Sequence, residues 1–157
     1  MAAIDGIEVF KSGIHGYGGR TKRTFVKGET VCFGDGVQYR EDDDFDDTYA
    51  LILDEGEDSD VNLFYDLVDQ TRWFNHSCDP NTEVMAVFDR ETKTTRAWWV
   101  ALRDIPVGEE ITYDYAFVAD VAEVCHCGTS KCRGLIVDPE EIGNVAADLR
   151  KHLRLAS

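Results

Sequence analysis

The chain has 157 residues, 43% of them hydrophobic and 11% aromatic, which suits one domain around a single core and excludes the disordered class. Thirty-one acidic against sixteen basic side chains leave a formal net charge of −15, a balance that repels a phosphate backbone and attracts a basic partner, so direct nucleic-acid binding is not expected. Met1 to Gly6 carry neither a basic start nor a long apolar run, and no stretch approaches the roughly 20 apolar residues needed to cross a bilayer, so a soluble intracellular protein without a membrane partner is expected.

Residues 5 to 37 alternate short apolar runs, such as Ile7 to Phe10 and Thr30 to Phe33, with glycine-rich turns at 13 to 19 and 34 to 36, a pattern that predicts short strands and hairpins. The run Gly16-Tyr17-Gly18-Gly19 fits either a place where backbone approaches something closely or a plain hairpin tip. Two acid-rich runs, Glu41 to Asp47 and Asp54 to Asp60, flank a short strand over Thr48 to Leu53. They read as solvated faces; neither has the glycine and terminal-glutamate spacing of an EF-hand loop, and no calcium is expected.

The stretch from Arg72 to Asn81 concentrates the most chemistry. Trp73 and Phe74 read as the end of a buried segment, Asp79-Pro80-Asn81 as a turn, and the polar run Asn75-His76-Ser77-Cys78 lies between them where a core meets a loop. Taken singly, His76 also suits a satisfied core histidine, Cys78 a small buried hydrophobe and Asn75 a cap. Thr82 to Phe88 and Thr95 to Leu102 predict a strand pair turned by Asp89 to Lys93, with Trp98, Trp99 and Val100 in the core. Among five cysteines, the close spacing of Cys125, Cys127 and Cys132 favours metal over disulfides and leaves Cys32 the odd one out. A tetrahedral zinc site needs a fourth ligand from elsewhere; His126 competes, but both its sequence neighbours are already ligands. Beyond Gly134 a helix is predicted: Asp138 caps it, Pro139 takes the first position, Glu140 and Glu141 suit the dipole, and Ile142, Val145, Ala146, Leu149 and Leu153 form one apolar stripe. Core packing is the default reading of that stripe.

Three segments in this order, Asn75-His76-Ser77-Cys78, Gly108 to Tyr115, and Cys125-His126-Cys127 through Cys132-Arg133-Gly134, resemble a SET-domain protein-lysine methyltransferase with its trailing post-SET cysteine cluster. Ile14 to Arg20 followed by Phe25 to Glu29 looks like that family's opening glycine motif, so the resemblance spans about residues 5 to 135. It implies a mainly β fold: a SET domain over residues 5–118, with short sheets around a pseudoknot in which the Asn75 and Tyr113 segments cross; a post-SET zinc-binding loop over 119–135; and a C-terminal helical extension over 136–157. It also implies that Arg103 to Glu110 leads into a strand carrying Tyr113 and Tyr115.

The same resemblance supplies roles. Cys78 becomes the fourth zinc ligand beside Cys125, Cys127 and Cys132. The methyl donor would be S-adenosylmethionine, held by Gly16, Tyr17, Gly18, Asn75 and His76. Tyr115 matches the active-site tyrosine that orients the transfer, and Tyr113 a channel position that limits the number of methyl groups added. A lysine with a pKa of about 10.4 is almost wholly charged at neutral pH, and an apolar aromatic channel with a cationic donor favours the reactive neutral amine. Carboxylates would oppose this, so they are expected outside the channel, with Asp114 facing away from the two tyrosines between which it alternates. The substrate implied is a lysine in a basic protein, a histone or histone-like protein first among candidates, and the location nuclear or chromatin-associated in a eukaryote and cytoplasmic otherwise. The alternative is a non-catalytic, zinc-stapled SET-like module that binds basic peptides.

Overall fold

A computed structural model describes residues 3–53 and 62–154; the acid run Asp54 to Asp60 lies outside them. β1 (Ile7–Lys11) and β2 (Tyr17–Thr21) form an antiparallel hairpin in which Phe10 pairs with Gly18 and Val9 with Gly19. The expected glycine turn over 13 to 19 is thus shorter, because Gly18 and Gly19 are strand residues. Their lack of a side chain serves packing: a Cβ on Gly18 would collide with the Glu110 carboxyl, and one on Gly19 with the Phe74 ring. Gly16, at φ 47°, makes the turn itself.

β3 (Thr30–Gly34), β8 (Thr82–Asp89) and β9 (Thr94–Ala101) form an antiparallel sheet with β9 in the middle, as the strand-pair pattern predicts. Strand alternation corrects one expectation. Trp99 is wholly buried and meets Phe74 edge-on at 5.3 Å between ring centroids, but Trp98 and Val100 point to the other face and are half-buried, Trp98 lying against Phe33 and Arg96. Phe25, Ile105, Ile111, Leu67 and Ile7 complete this main core. A further sheet joins β4 (Gly36–Arg40), β5 (Ala50–Leu53) and β6 (Leu63–Leu67), with β6 central. The first acid run connects β4 to β5. Its aspartates are exposed as a solvated face should be, while Phe45 alone turns inward to stack on Tyr39 at 4.3 Å.

Two short strands carry the crossing. β7 (Asn75–His76) pairs in parallel with β10 (Thr112–Tyr113), Asn75 opposite Thr112 and His76 opposite Tyr113. So short a ladder needs other support, and buried side chains give it. Asn81 donates to the Glu110 carbonyl at 2.8 Å and to the Glu109 carboxylate at 3.0 Å, and accepts from the Thr112 N–H at 2.9 Å. Thr82 donates to the Thr112 carbonyl at 2.8 Å, and the Ser77 N–H to the Tyr113 carbonyl at 3.1 Å. Asn81 therefore does more than close a turn. Each of these backbone groups would cost about 1–3 kcal/mol if left buried and unpaired.

The chain past Tyr113 builds a smaller core. β11 (Glu123–Val124) and β12 (Leu135–Ile136) pair antiparallel and bracket the cysteine loop. Ala119, Leu135, Val137 and Val145 are buried beneath them, with Ile142, Leu149 and Leu153 packed alongside. The apolar stripe of the C-terminal segment is thus core, apart from the exposed Ala146. Its helix comes as two short pieces: a 3-10 turn over Pro139–Asn144, capped by Asp138 as expected, and α1 (Ala147–Arg150). Between them Val145 adopts extended backbone and drops into the core, while the Arg150 guanidinium takes the carbonyls of Val145 at 3.0 Å and Gly143 at 2.6 Å that a continuous helix would have used internally.

Candidate functional site

Around the β7–β10 crossing the structure brings together three groups of side chains that the sequence separates by up to about a hundred residues. The first surrounds the glycine turn. The side-chain nitrogen of buried Asn75 lies 3.0 Å from the His15 carbonyl, 2.9 Å from the Tyr17 carbonyl and 2.9 Å from the Glu110 carboxylate, so both its hydrogens are committed to holding the turn. Ser12 ties the same carboxylate at 2.8 Å and 3.0 Å, and accepts the Ile14 N–H at 2.9 Å. Ser12 carried no motif signal, and Glu110, though inside the Gly108 to Tyr115 segment, was given no role, because both matter through contacts across the fold. Tyr17 is 56% exposed, its ring edge-on to Trp73 at 5.5 Å. The Arg72 guanidinium lies over the rings of Tyr49 at 4.3 Å and Trp73 at 5.1 Å, and its Nε is buried with no hydrogen-bond partner among the described residues.

The second group is aromatic. Tyr113 is buried and Tyr115 half-buried, their rings 4.9 Å apart, with Trp99, Phe117 and His76 around them. The strand expected to carry both tyrosines ends at Tyr113. Ala116 turns the chain at φ 48°, with its N–H on the Asp114 carboxylate at 3.0 Å, and so swings Tyr115 beside its neighbour on the knot. The Tyr115 hydroxyl donates to the Phe74 carbonyl at 2.6 Å. Burial, and then the Glu110 carboxylate, pushes the Tyr115 phenol well above its ordinary value; burial does the same to Tyr113. Both hydroxyls stay protonated at physiological pH. Asp114 pairs with Arg133 at 2.9 Å and lies 3.5 Å from His76 Nδ1; because the strand ends at Tyr113, the alternation expected to turn it away from the tyrosines does not apply.

The third group is sulfur. The Sγ atoms of Cys78, Cys125, Cys127 and Cys132 all lie within 4.8 Å of one another, those of Cys78 and Cys125 at 3.8 Å. Four sulfurs at about 2.3 Å from one tetrahedral zinc stand about 3.8 Å apart, so the donor set fits that ion in element, number and spacing. Burial raises the Cys78 thiol to about 11, whereas hydrogen bonds from Cys78, Thr129 and Cys125 outweigh burial at Cys127 and bring it down to about 6. His126 is exposed and outside the cluster, and Cys32 is buried in the main core. Between the second and third groups lies His76. Its Nδ1 accepts the Tyr115 N–H at 3.0 Å, and its Nε2 lies 3.4 Å from the Cys78 sulfur. Burial, aided by Arg133 and opposed by Asp114, lowers its pKa to about 4, so the ring is neutral.

Residues 16–116 match the model of the SET-domain family. The mouse histone-lysine N-methyltransferase NSD3 is 31% identical over 90% of this chain, and the Drosophila histone-lysine N-methyltransferase ash1 is 33% identical over 86% of it. This chain spans only 10% and 6% of those two relatives. A crystal structure of KRYPTONITE in complex with mCHG DNA and SAH superposes with a TM-score of 0.68 at 27% identity, over 83% of this chain and 28% of that one.

Proposed function

The chain belongs to the SET-domain family, and from that premise we propose that it is a protein-lysine methyltransferase acting on a basic protein. The observation that carries the reading is the convergence, at one crossing of two short strands, of the glycine turn clasped by Asn75, the protonated pair Tyr113 and Tyr115, and the four-cysteine cluster. The organisation proposed is a SET domain over 5–118, a post-SET zinc loop over 119–135 and a C-terminal extension over 136–157.

S-adenosylmethionine would supply an electrophilic methyl group on a cationic sulfur. Gly16, Tyr17, Gly18, Asn75 and His76 would hold it, largely through backbone, since the Asn75 amide hydrogens already fix the turn. The site fits such a ligand in two respects: a Cβ on Gly16 would meet no described atom within 4 Å, so the turn can be approached closely, and the Arg72 guanidinium, over two aromatic rings with an Nε unpartnered among the described residues, suits a carboxylate. With its proton committed to the Phe74 carbonyl, the Tyr115 oxygen presents lone pairs that attract a polarised methyl C–H. Neither phenol is a base at neutral pH, so loss of the lysine proton rests on desolvation among Tyr113, Tyr115 and their aromatic neighbours. Zinc on Cys78, Cys125, Cys127 and Cys132 would be structural, closed to substrate by its full set of thiolates.

The exposed aspartates of the β4–β5 connection favour a lysine set in a basic segment, and the histone-lysine relatives make a histone tail the first candidate, with a nuclear or chromatin-associated location. No helix among the described residues is long and apolar enough to cross a membrane. DNA is named in the KRYPTONITE complex, but a formal charge of −15 opposes it as a direct partner here. The test is calorimetry with S-adenosylmethionine followed by mass spectrometry of core histones incubated with both. Donor binding and methyl-lysine are expected; a protein that binds no donor would sink the reading.

A further inference from the structure

A backbone N–H can only donate, so the Tyr115 N–H at 3.0 Å requires His76 Nδ1 to be bare of a proton. The imidazole proton then resides on Nε2, which faces the Cys78 sulfur at 3.4 Å. His76 is 3% exposed, so water does not compete for either nitrogen. Asp114, 3.5 Å from Nδ1, is already engaged by Arg133 and the Ala116 N–H. We infer that His76 is a positioning residue joining the metal-ligating cysteine to the catalytic tyrosine, its Nε2–H donating to the Cys78 thiolate while its Nδ1 fixes the Tyr115 backbone. This rests on the proposed reading of Tyr115 and of the zinc site.

The physical consequence runs in one direction. A thiolate is a better acceptor than a thiol, so zinc, by keeping Cys78 deprotonated, strengthens the bond to Nε2–H. A ring held at Nε2 aims Nδ1, and Nδ1 holds the Tyr115 N–H. That backbone in turn sets the hydroxyl 2.6 Å from the Phe74 carbonyl. Hydrogen bonds outside the ligand set commonly orient the ligands and tune the metal they hold. Here the outer bond also reaches the methyl-transfer centre. The four-cysteine cluster thereby influences catalysis by a route separate from any wall it adds to the donor pocket.

The test uses zinc-loaded protein labelled with 15N in histidine and tyrosine. His76 is expected as the Nε2-protonated tautomer. Replacing zinc with cadmium-113, which keeps the site filled, should shift the His76 Nε2 and Tyr115 amide resonances and leave the Tyr17 amide of the β1–β2 hairpin where it was. A proton on Nδ1, or a Tyr115 amide indifferent to the metal, would overturn the inference. Two variants divide the relay. His76→Asn keeps an acceptor near Nδ1 but cannot reach the sulfur, so chelator competition should read about tenfold weaker zinc; His76→Gln keeps a donor toward the sulfur, so its zinc affinity should stay within about twofold. Equal zinc loss in both would also count against the relay. If the wild type transfers no methyl group, the proposed activity fails while the tautomer and metal response still decide the relay.

Discussion

The two walls of the site are stabilised by different means. The crossing of β7 and β10 is fixed by protein alone: Asn81, Thr82 and Ser77 satisfy the buried backbone groups, and the main core with Trp99 and Phe74 packs against it. The cysteine loop has a two-residue strand pair, a small core of Ala119, Leu135, Val137 and Val145, and four sulfurs within 4.8 Å of one another. A segment with so few buried apolar contacts has little stability of its own. The crossing can thus be preformed by its own contacts, whereas the cysteine half depends on a small core, on the C-terminal segment and on whatever metal its sulfurs would hold. That segment lies directly on the loop: the Arg154 N–H bonds the Arg133 carbonyl at 2.7 Å, and a Cβ on Gly134, at φ 84°, would strike the His152 carbonyl.

Metal removal should separate the walls most sharply. Structural zinc contributes on the order of 10 kcal/mol to small four-ligand domains, so chelation, or Cys132→Ser, is expected to release the loop and abolish donor binding. Hydrogen exchange should then rise over residues 123–136 and stay low in β8 and β9. Uniform loss of protection would show that the two halves are not independent. Next comes Asn81→Ala, aimed at the rigid wall. It leaves the Thr112 N–H and the Glu110 carbonyl without their partner, at about 2–4 kcal/mol together, read as a lower melting temperature of the zinc-loaded protein. An unchanged melting temperature would remove Asn81 from the account.

How much of this was legible in the sequence follows from how far each interaction reaches along the chain. Cys125, Cys127 and Cys132 announce themselves by spacing, and the Asn75 to Cys78 run by composition. The fourth sulfur came by resemblance, and the structure sets it within 4.8 Å of the other three. Asn81 read only as a turn residue, Glu110 only as part of a motif and Ser12 as nothing at all, because their bonds across the fold join residues 28 to 98 apart. Gly18 and Gly19 suggested a turn because a sequence does not reveal that the Glu110 and Phe74 side chains occupy the space a Cβ would need. The C-terminal stripe had the right residues for one helix, yet burial of Val145 in the small core outweighed the helical hydrogen bonds it gave up.

Smaller effects test the glycine turn and the aromatic pair. Asn75→Ala removes the clasp on the His15 and Tyr17 carbonyls, and donor affinity by calorimetry is expected to fall roughly tenfold, about 1.4 kcal/mol. An unaltered affinity would mean that the turn holds its shape without the clasp. Tyr113→Phe should change the rate least and the product most. Its hydroxyl, with a bound water, would fill the space that a second or third methyl group needs, so the wild type should make mainly monomethyl-lysine and the variant more di- and trimethyl product. Dominant trimethyl-lysine from the wild type, unchanged in the variant, would show that Tyr113 is not the gate.

The most direct measurement is transfer of labelled methyl from S-adenosylmethionine to a panel of basic proteins by zinc-loaded wild type beside Tyr115→Phe. The variant keeps the ring that packs against Tyr113 and Phe117 and loses only the hydroxyl on the Phe74 carbonyl. Label should appear on lysine with the wild type and fall about a hundredfold with the variant, as expected when a group that orients the reaction is removed. A folded, zinc-loaded wild type that binds the donor and the basic proteins yet transfers no label would contradict the account and identify a non-catalytic binding module.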